Sequence, residues 1–353
     1  EMCIRDSHQG DERKDLRARR RVGGCGHVLR LRPLRQLQPA GPNVLGMFRG
    51  AISPERYVQF VRGALWSLTV IVITGAAVRL TGSGLGCSDW PTCEEDQFVA
   101  SLEHHALIEF GNRLFTGVVT IAVVLAVLGS IRRGPKRRDL IWWSWGLVAG
   151  VIAQILLGAV LVLTHLDPRF TMGHFILSMV LLWNAAVLIE KAKTDIADPA
   201  PLWMGAPSDH DRPIRNASRT LFVSGSILLV TGTIVTGSGP HSGSDDELVA
   251  DRLPFLVRDV TRIHSITAFT VLAVVLAIIR RAHRAEKFAL REQAMRLMTL
   301  LVAQGAVGYW QYFTGVPVQL VAVHITLASI TWIQIVRLAW QAEQVPARDR
   351  VLV

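Results

Sequence analysis

The stretch from residue 297 to residue 336 reads LMTLLVAQGAVGYWQYFTGVPVQLVAVHITLASITWIQIV and contains no Asp, Glu, Lys or Arg. A helix needs about 20 residues to cross the roughly 30 Å hydrocarbon core of a bilayer, so these 40 residues are too many for one crossing. Thr314-Gly315-Val316-Pro317 supplies turn-forming residues near the middle of the stretch. The stretch therefore predicts two membrane-spanning helices joined by a tight turn.

Six further runs are equally free of charged side chains, and they span 63–78, 114–131, 140–164, 170–189, 220–244 and 263–279. The first reaches spanning length once Arg79 and Leu80 are included, because an Arg side chain can extend to the interface. Of the 353 residues, 50% are apolar and 19% are charged, whereas soluble chains are about a quarter charged. The sequence thus predicts an all-α polytopic membrane protein with eight transmembrane helices. It argues against a disordered chain, a cysteine-stapled miniprotein and most soluble enzymes.

The net charge of +10 does not indicate a nucleic-acid-binding protein. Residues 1–46 hold ten Lys or Arg and five Asp or Glu, and they contain no apolar core of a signal peptide. We expect this segment to be a disordered basic tail, or translation upstream of a start at Met47. The remaining positive charge is spread over short segments between apolar runs, which is typical of a polytopic protein.

The connections between the predicted helices alternate in charge. Most of the Lys and Arg that follow the tail lie at 132–138, 190–219 and 280–296, whereas the connections at 81–107 and 245–259 are acidic. Basic connections stay on the cytoplasmic side of a membrane. Both termini are therefore predicted to be cytoplasmic, and the first connection is predicted to face outward.

The second half of the chain repeats the first. Four helices followed by four of the same orientation imply two pseudo-symmetric four-helix bundles, related by an axis along the membrane normal. We predict an N-terminal bundle at 60–191, a cytoplasmic linker at 192–218, a C-terminal bundle at 219–340 and a cytoplasmic tail at 341–353. The repeated pieces, at offsets of 150 to 155 residues, are Thr81-Gly82-Ser83-Gly84 with 236–239, 122–126 with 273–277, Ala153-Gln154 and Gly158 with Ala303-Gln304 and Gly308, and His174 with His324.

A small set of ionisable residues is placed at membrane depth, namely Glu109 a few residues into the second helix, and His174, His264 and His324, all in the predicted outer half. Such residues are costly in a bilayer and by default mark a functional site. Neutral imidazoles that face each other in a bundle are the usual axial ligands of a b-type haem. His264 and His324 therefore predict a haem b site. Zinc is disfavoured because no span offers histidines at i and i+4, and a proton relay would explain Glu109 alone.

The N-terminal bundle differs from the C-terminal bundle, because His174 stands alone in it. Alignment of the repeats places Asn112 or Arg113 where a second histidine would be expected. Glu109 lies three residues before Asn112, and His105 lies four residues before Glu109, on one helix face. One strong iron ligand beside a carboxylate and an open position suits a substrate haem or a reactive haem.

Cys87 and Cys93 both lie in the first predicted outer connection. Their spacing suits a disulfide or a redox-active pair in an oxidising compartment. A metal site is the competing interpretation, but no further Cys or well-spaced His completes a tetrahedral set.

In these motifs the chain resembles the haem A synthase family, whose members oxidise a methyl group of haem O to the formyl group of haem A. The matching pieces are 81–87 with Trp90, Pro91 and Cys93, then Glu109-Phe110-Gly111-Asn112-Arg113 and His174, then 236–243, Arg262-Ile263-His264 and His324. The resemblance implies three roles and one covalent link. They are the ligation of haem b by His264 and His324, a place for His174 in the substrate-haem site, catalysis by the carboxylate of Glu109, and a disulfide between Cys87 and Cys93.

One residue departs from the family pattern, because many members carry His where Asn112 stands. We expect the substrate iron to keep one protein ligand, rather than to recruit His105 from near the interface. Arg79 and Arg113 could pair with haem propionates or extend to the interface.

The resemblance further implies water-derived oxygen, electrons that leave through haem b to an acceptor, and a prokaryotic plasma membrane with the site facing outward. A haem O synthase is the expected partner, because haem O is insoluble and favours direct hand-off. The sequence leaves a homo-oligomer open. The alternative function is a quinol-linked b-type electron-transfer protein, and a transporter ranks third.

Overall fold

The computed structural model describes residues 51–94, 99–194, 212–241, 243–244 and 251–344. Within these ranges the chain forms eight α-helices, as predicted. They are α1 (Pro54–Leu80), α2 (His104–Arg132), α3 (Arg138–Leu163), α4 (Pro168–Lys193), α5 (Arg212–Ser238), α6 (Val257–Arg284), α7 (Phe288–Phe313) and α8 (Val318–Gln344). The predicted basic tail at 1–46 lies outside the described residues.

Seven of the eight described helices are both long enough and apolar enough to cross a membrane, and α7 is the exception. Its first half carries Arg291, Glu292 and Arg296, and its charge-free half contains Gln304 and Gln311. With 26 residues, α7 still has the length of a spanning helix, and it packs between α6 and α8. The molecule is a multi-pass membrane protein, and the cytoplasmic location of its termini stays a prediction.

Helix contacts arrange the eight helices as two rings of four. In the N-terminal bundle (α1–α4), α1 and α3 each contact both α2 and α4, and the C-terminal bundle (α5–α8) repeats this pattern. The seam between the bundles forms where α4 packs against α5 and α8, and where α1 contacts α8. The sequence-based domain limits at 60–191 and 219–340 remain predictions.

The turns that follow α3 and α7 have the same conformation. Each has two consecutive residues with positive φ, His165 and Leu166 in one turn and Gly315 and Val316 in the other. The amide of the second residue donates to the carbonyl five residues earlier, over 2.9 Å at Leu166 and 2.7 Å at Val316. This bond satisfies carbonyls at the helix end, so the predicted turn at 314–317 is confirmed and has a twin in the first bundle.

Two hydrogen bonds donated by side chains of α8 to acceptors on α4 hold the seam together. The indole Nε1 of Trp332 donates to the backbone oxygen of Met179 over 2.8 Å. Towards the C-terminal ends of the same helices, Arg337 Nε donates to Glu190 Oε1 over 3.0 Å. The seam is therefore fixed by directional polar contacts as well as by apolar packing.

Candidate functional site

The second turn of each even-numbered helix carries one of the ionisable residues predicted inside the spans. Glu109 is the sixth residue of α2, His174 and His324 are the seventh of α4 and α8, and His264 is the eighth of α6. These helices begin at the same end of the bundles. The structure therefore places the four side chains at a common level.

His264 and His324 face each other in the C-terminal bundle. Their ring centres are 6.4 Å apart, and the ring planes make an angle of 66°. Two imidazoles that share one metal through bonds of about 2 Å have ring centres roughly 6 Å apart. The pair therefore fits the axial positions of one haem iron.

Glycines on the odd-numbered helices allow these rings to approach. A methyl group added at Gly232 would lie 3.1 Å from His264 Cε1, and one added at Gly308 would lie 3.0 Å from His324 Cε1. Both distances are below the ordinary carbon contact of about 3.5–4.0 Å. A larger residue at either position would push the imidazole out of place.

Thr231 is a hydrogen-bond partner of His264. Its hydroxyl lies 3.1 Å from His264 Nδ1 and 3.0 Å from the backbone oxygen of Leu228. In the tautomer that carries a proton on Nδ1, this nitrogen donates to the Thr231 oxygen. The other ring nitrogen is then unprotonated and able to bind iron, an arrangement usual for metal-bound histidine.

Asn112 takes the place of His264 in the N-terminal bundle. Thr74 Oγ1 donates to Asn112 Oδ1 over 2.8 Å, and the pair Thr74-Gly75 precedes Thr231-Gly232 by 157 residues. The position of a Cβ at Gly75 lies 4.0 Å from Asn112 Nδ2, just as Gly232 borders His264. Of the two alignments that the sequence allows, the structure favours Asn112 over Arg113 as the counterpart.

His174 and His324 share an unusual feature. The Nδ1 atom of each ring is buried and has no hydrogen-bond partner among the residues that the structure describes. Buried polar atoms are nearly always paired, so each ring has a nitrogen whose hydrogen-bonding capacity is unused in this structure. A Cβ at Gly158 would lie 3.5 Å from His174 Cε1, which repeats the glycine contact of the other bundle.

Glu109 is 6% exposed and lies against the connection between α1 and α2, which is called the outer connection after the side predicted for it. Its Oε2 accepts from the backbone N–H of Cys87 over 2.8 Å, and its Oε1 accepts from Arg113 Nη2 over 2.6 Å. Arg113 uses all five of its N–H groups, two toward Glu109 and three toward the backbone oxygens of Cys87, Asp89 and Thr92. The two residues thus tie α2 to the outer connection.

The outer connection itself is closed by a disulfide between Cys87 and Cys93. Both cysteines are buried and cluster with Ala106. A Cβ at Gly86 would lie 2.2 Å from the backbone oxygen of His105, so only glycine lets the connection run along the first turn of α2. The redox role of the cysteine pair stays a prediction.

Arg79 and His105 also have partners in the outer connections. Arg79 Nη2 donates to the backbone oxygens of Thr236 over 3.1 Å and of His241 over 2.7 Å, across the seam between the bundles. His105 Nδ1 lies 2.9 Å from Ser83 Oγ. The role of Arg79, Arg113 and His105 toward a substrate haem therefore stays a prediction.

The sequence analysis did not single out Thr74 and Thr231, although both contact the central side chains. A signal was available, because the Thr-Gly pairs recur at an offset of 157, close to that of the other repeated pieces. Two-residue matches are too frequent to be noticed without the contacts that give them meaning.

A family model described as cytochrome oxidase assembly protein matches residues 59–336. Curated relatives include the haem A synthase of Lysinibacillus sphaericus (strain C3-41), which is 33% identical over 137 residues, 38% of this chain and 44% of that protein. The haem A synthase of Geobacillus kaustophilus (strain HTA426) is 32% identical over 107 residues, 30% of this chain and 33% of that protein. The chain belongs to the haem A synthase family of cytochrome oxidase assembly proteins.

Another relative of this haem A synthase family member carries a different name. A protoheme IX farnesyltransferase of Thermus thermophilus is 28% identical over 305 residues, 82% of this chain and 48% of that protein. The chain thus spans about a third to a half of the length of the curated relatives it matches.

Proposed function

We propose that the protein is a haem A synthase, which oxidises a methyl group of haem O to the formyl group of haem A with oxygen taken from water. The overall conversion consumes one water and releases four protons and four electrons. The observation that carries this proposal is the unequal pair of sites: two facing histidines in one bundle, and His174 with Asn112 at the matching level of the other. One site holds a haem by both faces, and the other leaves one face open.

His264 and His324 would hold haem b in the C-terminal bundle. When bound, haem b supplies one-electron transfer, which is the exit proposed for the electrons released by the substrate. The protein contributes Thr231 as a hydrogen-bond partner for His264 Nδ1, and the space beside both rings that Gly232 and Gly308 leave free.

Haem O is placed as substrate in the N-terminal bundle, with His174 as its protein ligand. Imidazole suits iron, whereas a neutral amide is a weaker ligand. Asn112 is moreover held by Thr74 through its side-chain oxygen, the atom that a metal would need. The iron of the substrate therefore keeps one protein ligand.

Glu109 is the proposed proton acceptor in the oxidation. Its carboxylate is oriented on both oxygens, by the Cys87 amide and by Arg113, and a positioned carboxylate can act as a general base. It lies one turn before Asn112 on α2.

The proposed location is the plasma membrane of a prokaryote, with the active-site end facing outward. The basic connections at 132–138 and 280–296 support this orientation. A farnesyltransferase that makes haem O is the proposed supplier of the substrate. The Thermus protein supports this link. It is named for farnesyl transfer to protoheme IX, and the match covers only 48% of its length, so a segment similar to this chain is joined there to further sequence.

The deciding experiment expresses the full chain in cells that make haem O but no haem A, followed by extraction and separation of the pigments. Haem A should appear together with a low-spin haem b spectrum in the purified protein. Haem b without any haem A would favour the alternative, a quinol-linked b-type electron-transfer protein, which the facing histidines support equally well. A purified protein without a Soret band would contradict both.

A further inference from the structure

Each bundle braces one histidine with a glutamine from the neighbouring helix. Gln154 Nε2 of α3 donates to the backbone oxygen of His174 over 3.0 Å, and Gln304 Nε2 of α7 donates to the backbone oxygen of His324 over 3.0 Å. The two contacts are separated by 150 residues at both ends, so they are the same contact in the two repeats. The bond holds in position the helical turn that carries the imidazole.

The same residues leave a complementary pair of atoms unsatisfied. In both bundles, the glutamine Oε1 and the histidine Nδ1 are buried without a hydrogen-bond partner among the described residues. One atom is an acceptor, and the other carries a proton in the tautomer that a ligand histidine needs. By contrast, His264 Nδ1 already has a hydrogen-bond partner in Thr231.

We propose that Gln154 and Gln304 are positioning residues for the haem ligands, and that with haem bound each Oε1 accepts the Nδ1–H of the histidine it braces. The proposal rests on the proposed haem sites. The bond would free the remaining ring nitrogen for iron and make the imidazole a stronger electron donor. Thr231 performs the same task for His264, so that both ligands of the C-terminal site would have an outer partner.

The N-terminal bundle braces its histidine more tightly than the C-terminal bundle. Ser178 Oγ donates to the backbone oxygen of His174 over 2.9 Å and lies 2.7 Å from Gln154 Nε2. The residue at the matching position of the C-terminal bundle is Ala328, which has no hydroxyl. A histidine that is the sole protein ligand of its iron thus receives the additional support.

The test measures the reduction potential of haem b in the full-length protein and in three variants. In Gln304→Leu the potential should shift to more positive values, because the imidazole donates less electron density to ferric iron. In Gln304→Glu it should shift to more negative values, because an anionic acceptor strengthens the bond. Gln311→Leu makes the same chemical change on the same helix and should leave the potential unchanged.

The outcomes separate this inference from the proposed function. A wild-type protein that binds no haem b would contradict the proposed function and, with it, this inference. A wild-type protein that binds haem b, with potentials unmoved in both Gln304 variants, would overturn the inference alone. If Gln304→Leu retains no haem, Gln304→Glu decides: a negative shift supports the bond, and an unchanged potential rejects it.

Discussion

The hydroxyl of Thr74 donates to the side-chain oxygen of Asn112 over 2.8 Å, at the position where the other bundle joins Thr231 to His264. The same local framework thus presents an imidazole in one half of the molecule and an amide in the other. Because the surrounding threonine and glycine are retained, the two frameworks differ at this point in the side chain at 112 and 264. This makes the difference between the two sites open to direct experiment.

Asn112→His should convert the open site into a site with two histidine ligands. With haem O bound, the optical and paramagnetic resonance spectra should change from high spin to low spin, and haem A should still form, since many members of the family carry His at this position. Asn112→Leu is the matched control, because it removes the amide and adds no ligand, so the bound haem should stay high spin. A high-spin spectrum in Asn112→His would show that Asn112 does not face the iron.

His324→Ala should lose most of the low-spin haem b signal of the purified protein, because one of two facing ligands is gone. The matched control is His283→Ala, which removes an exposed histidine from the last turn of α6 and should keep the full signal. A normal haem b spectrum in His324→Ala would refute the proposed ligand pair.

Gly308→Ala should disturb haem b binding, because the added methyl would lie 3.0 Å from His324 Cε1. Gly305→Ala on the same helix is the control, since no described atom lies within 4 Å of its added methyl. There the change should keep the haem and raise helix stability by no more than about 1 kcal/mol. The haem content per molecule of purified protein is measured for both variants. Equal content in the two would contradict the role given to Gly308.

Glu109→Gln should lower the rate of haem A formation by a factor on the order of a hundred or more, the usual size of a lost general base. The amide keeps the shape of the carboxylate but has one acceptor oxygen, so it can accept from the Cys87 amide or from Arg113 and not from both. Haem A formation is therefore expressed per molecule of protein in the membrane. Haem O and haem A are quantified after extraction.

Arg113→Lys separates catalysis by Glu109 from its structural contacts. Lysine cannot replace the three bonds that Arg113 makes to the outer connection, so this variant should lower the membrane level of the protein. If Glu109→Gln instead matched Arg113→Lys in level and kept haem A formation per molecule, Glu109 would be a structural residue.

Much of the fold follows from the sequence. Charge-free runs of spanning length predicted the eight helices, because a bilayer imposes length and polarity on each helix separately. The depth of His174, His264 and His324 followed in the same way, from their distance to the helix ends. The assignment of α7 was less complete, since Gln304 and Gln311 reduce its hydropathy, and Gln304 serves a contact in the bundle.

The contacts among helices did not follow from the sequence, because periodicity does not fix how each helix is rotated in its bundle. Arg113 illustrates this limit. From its charge, Arg113 was predicted to pair with a haem propionate or to extend to the interface. In the structure, its five N–H groups donate to Glu109 and to the outer connection. Gln154 and Gln304 were recognised as repeated residues, but only the fold shows that each one holds a histidine.

Arg79 belongs to the first bundle, yet its guanidinium is bonded to the carbonyls of Thr236 and His241 in the second. Trp332, near the middle of α8, and Arg337, toward its C-terminal end, also donate hydrogen bonds across the seam. The two bundles are therefore joined by hydrogen bonds at three levels. These bonds oppose a hinge motion between the halves. If the halves are held together in this way, the gap across which electrons would tunnel stays constant, and the rate of transfer is set by the difference in potential between the two centres rather than by a domain motion.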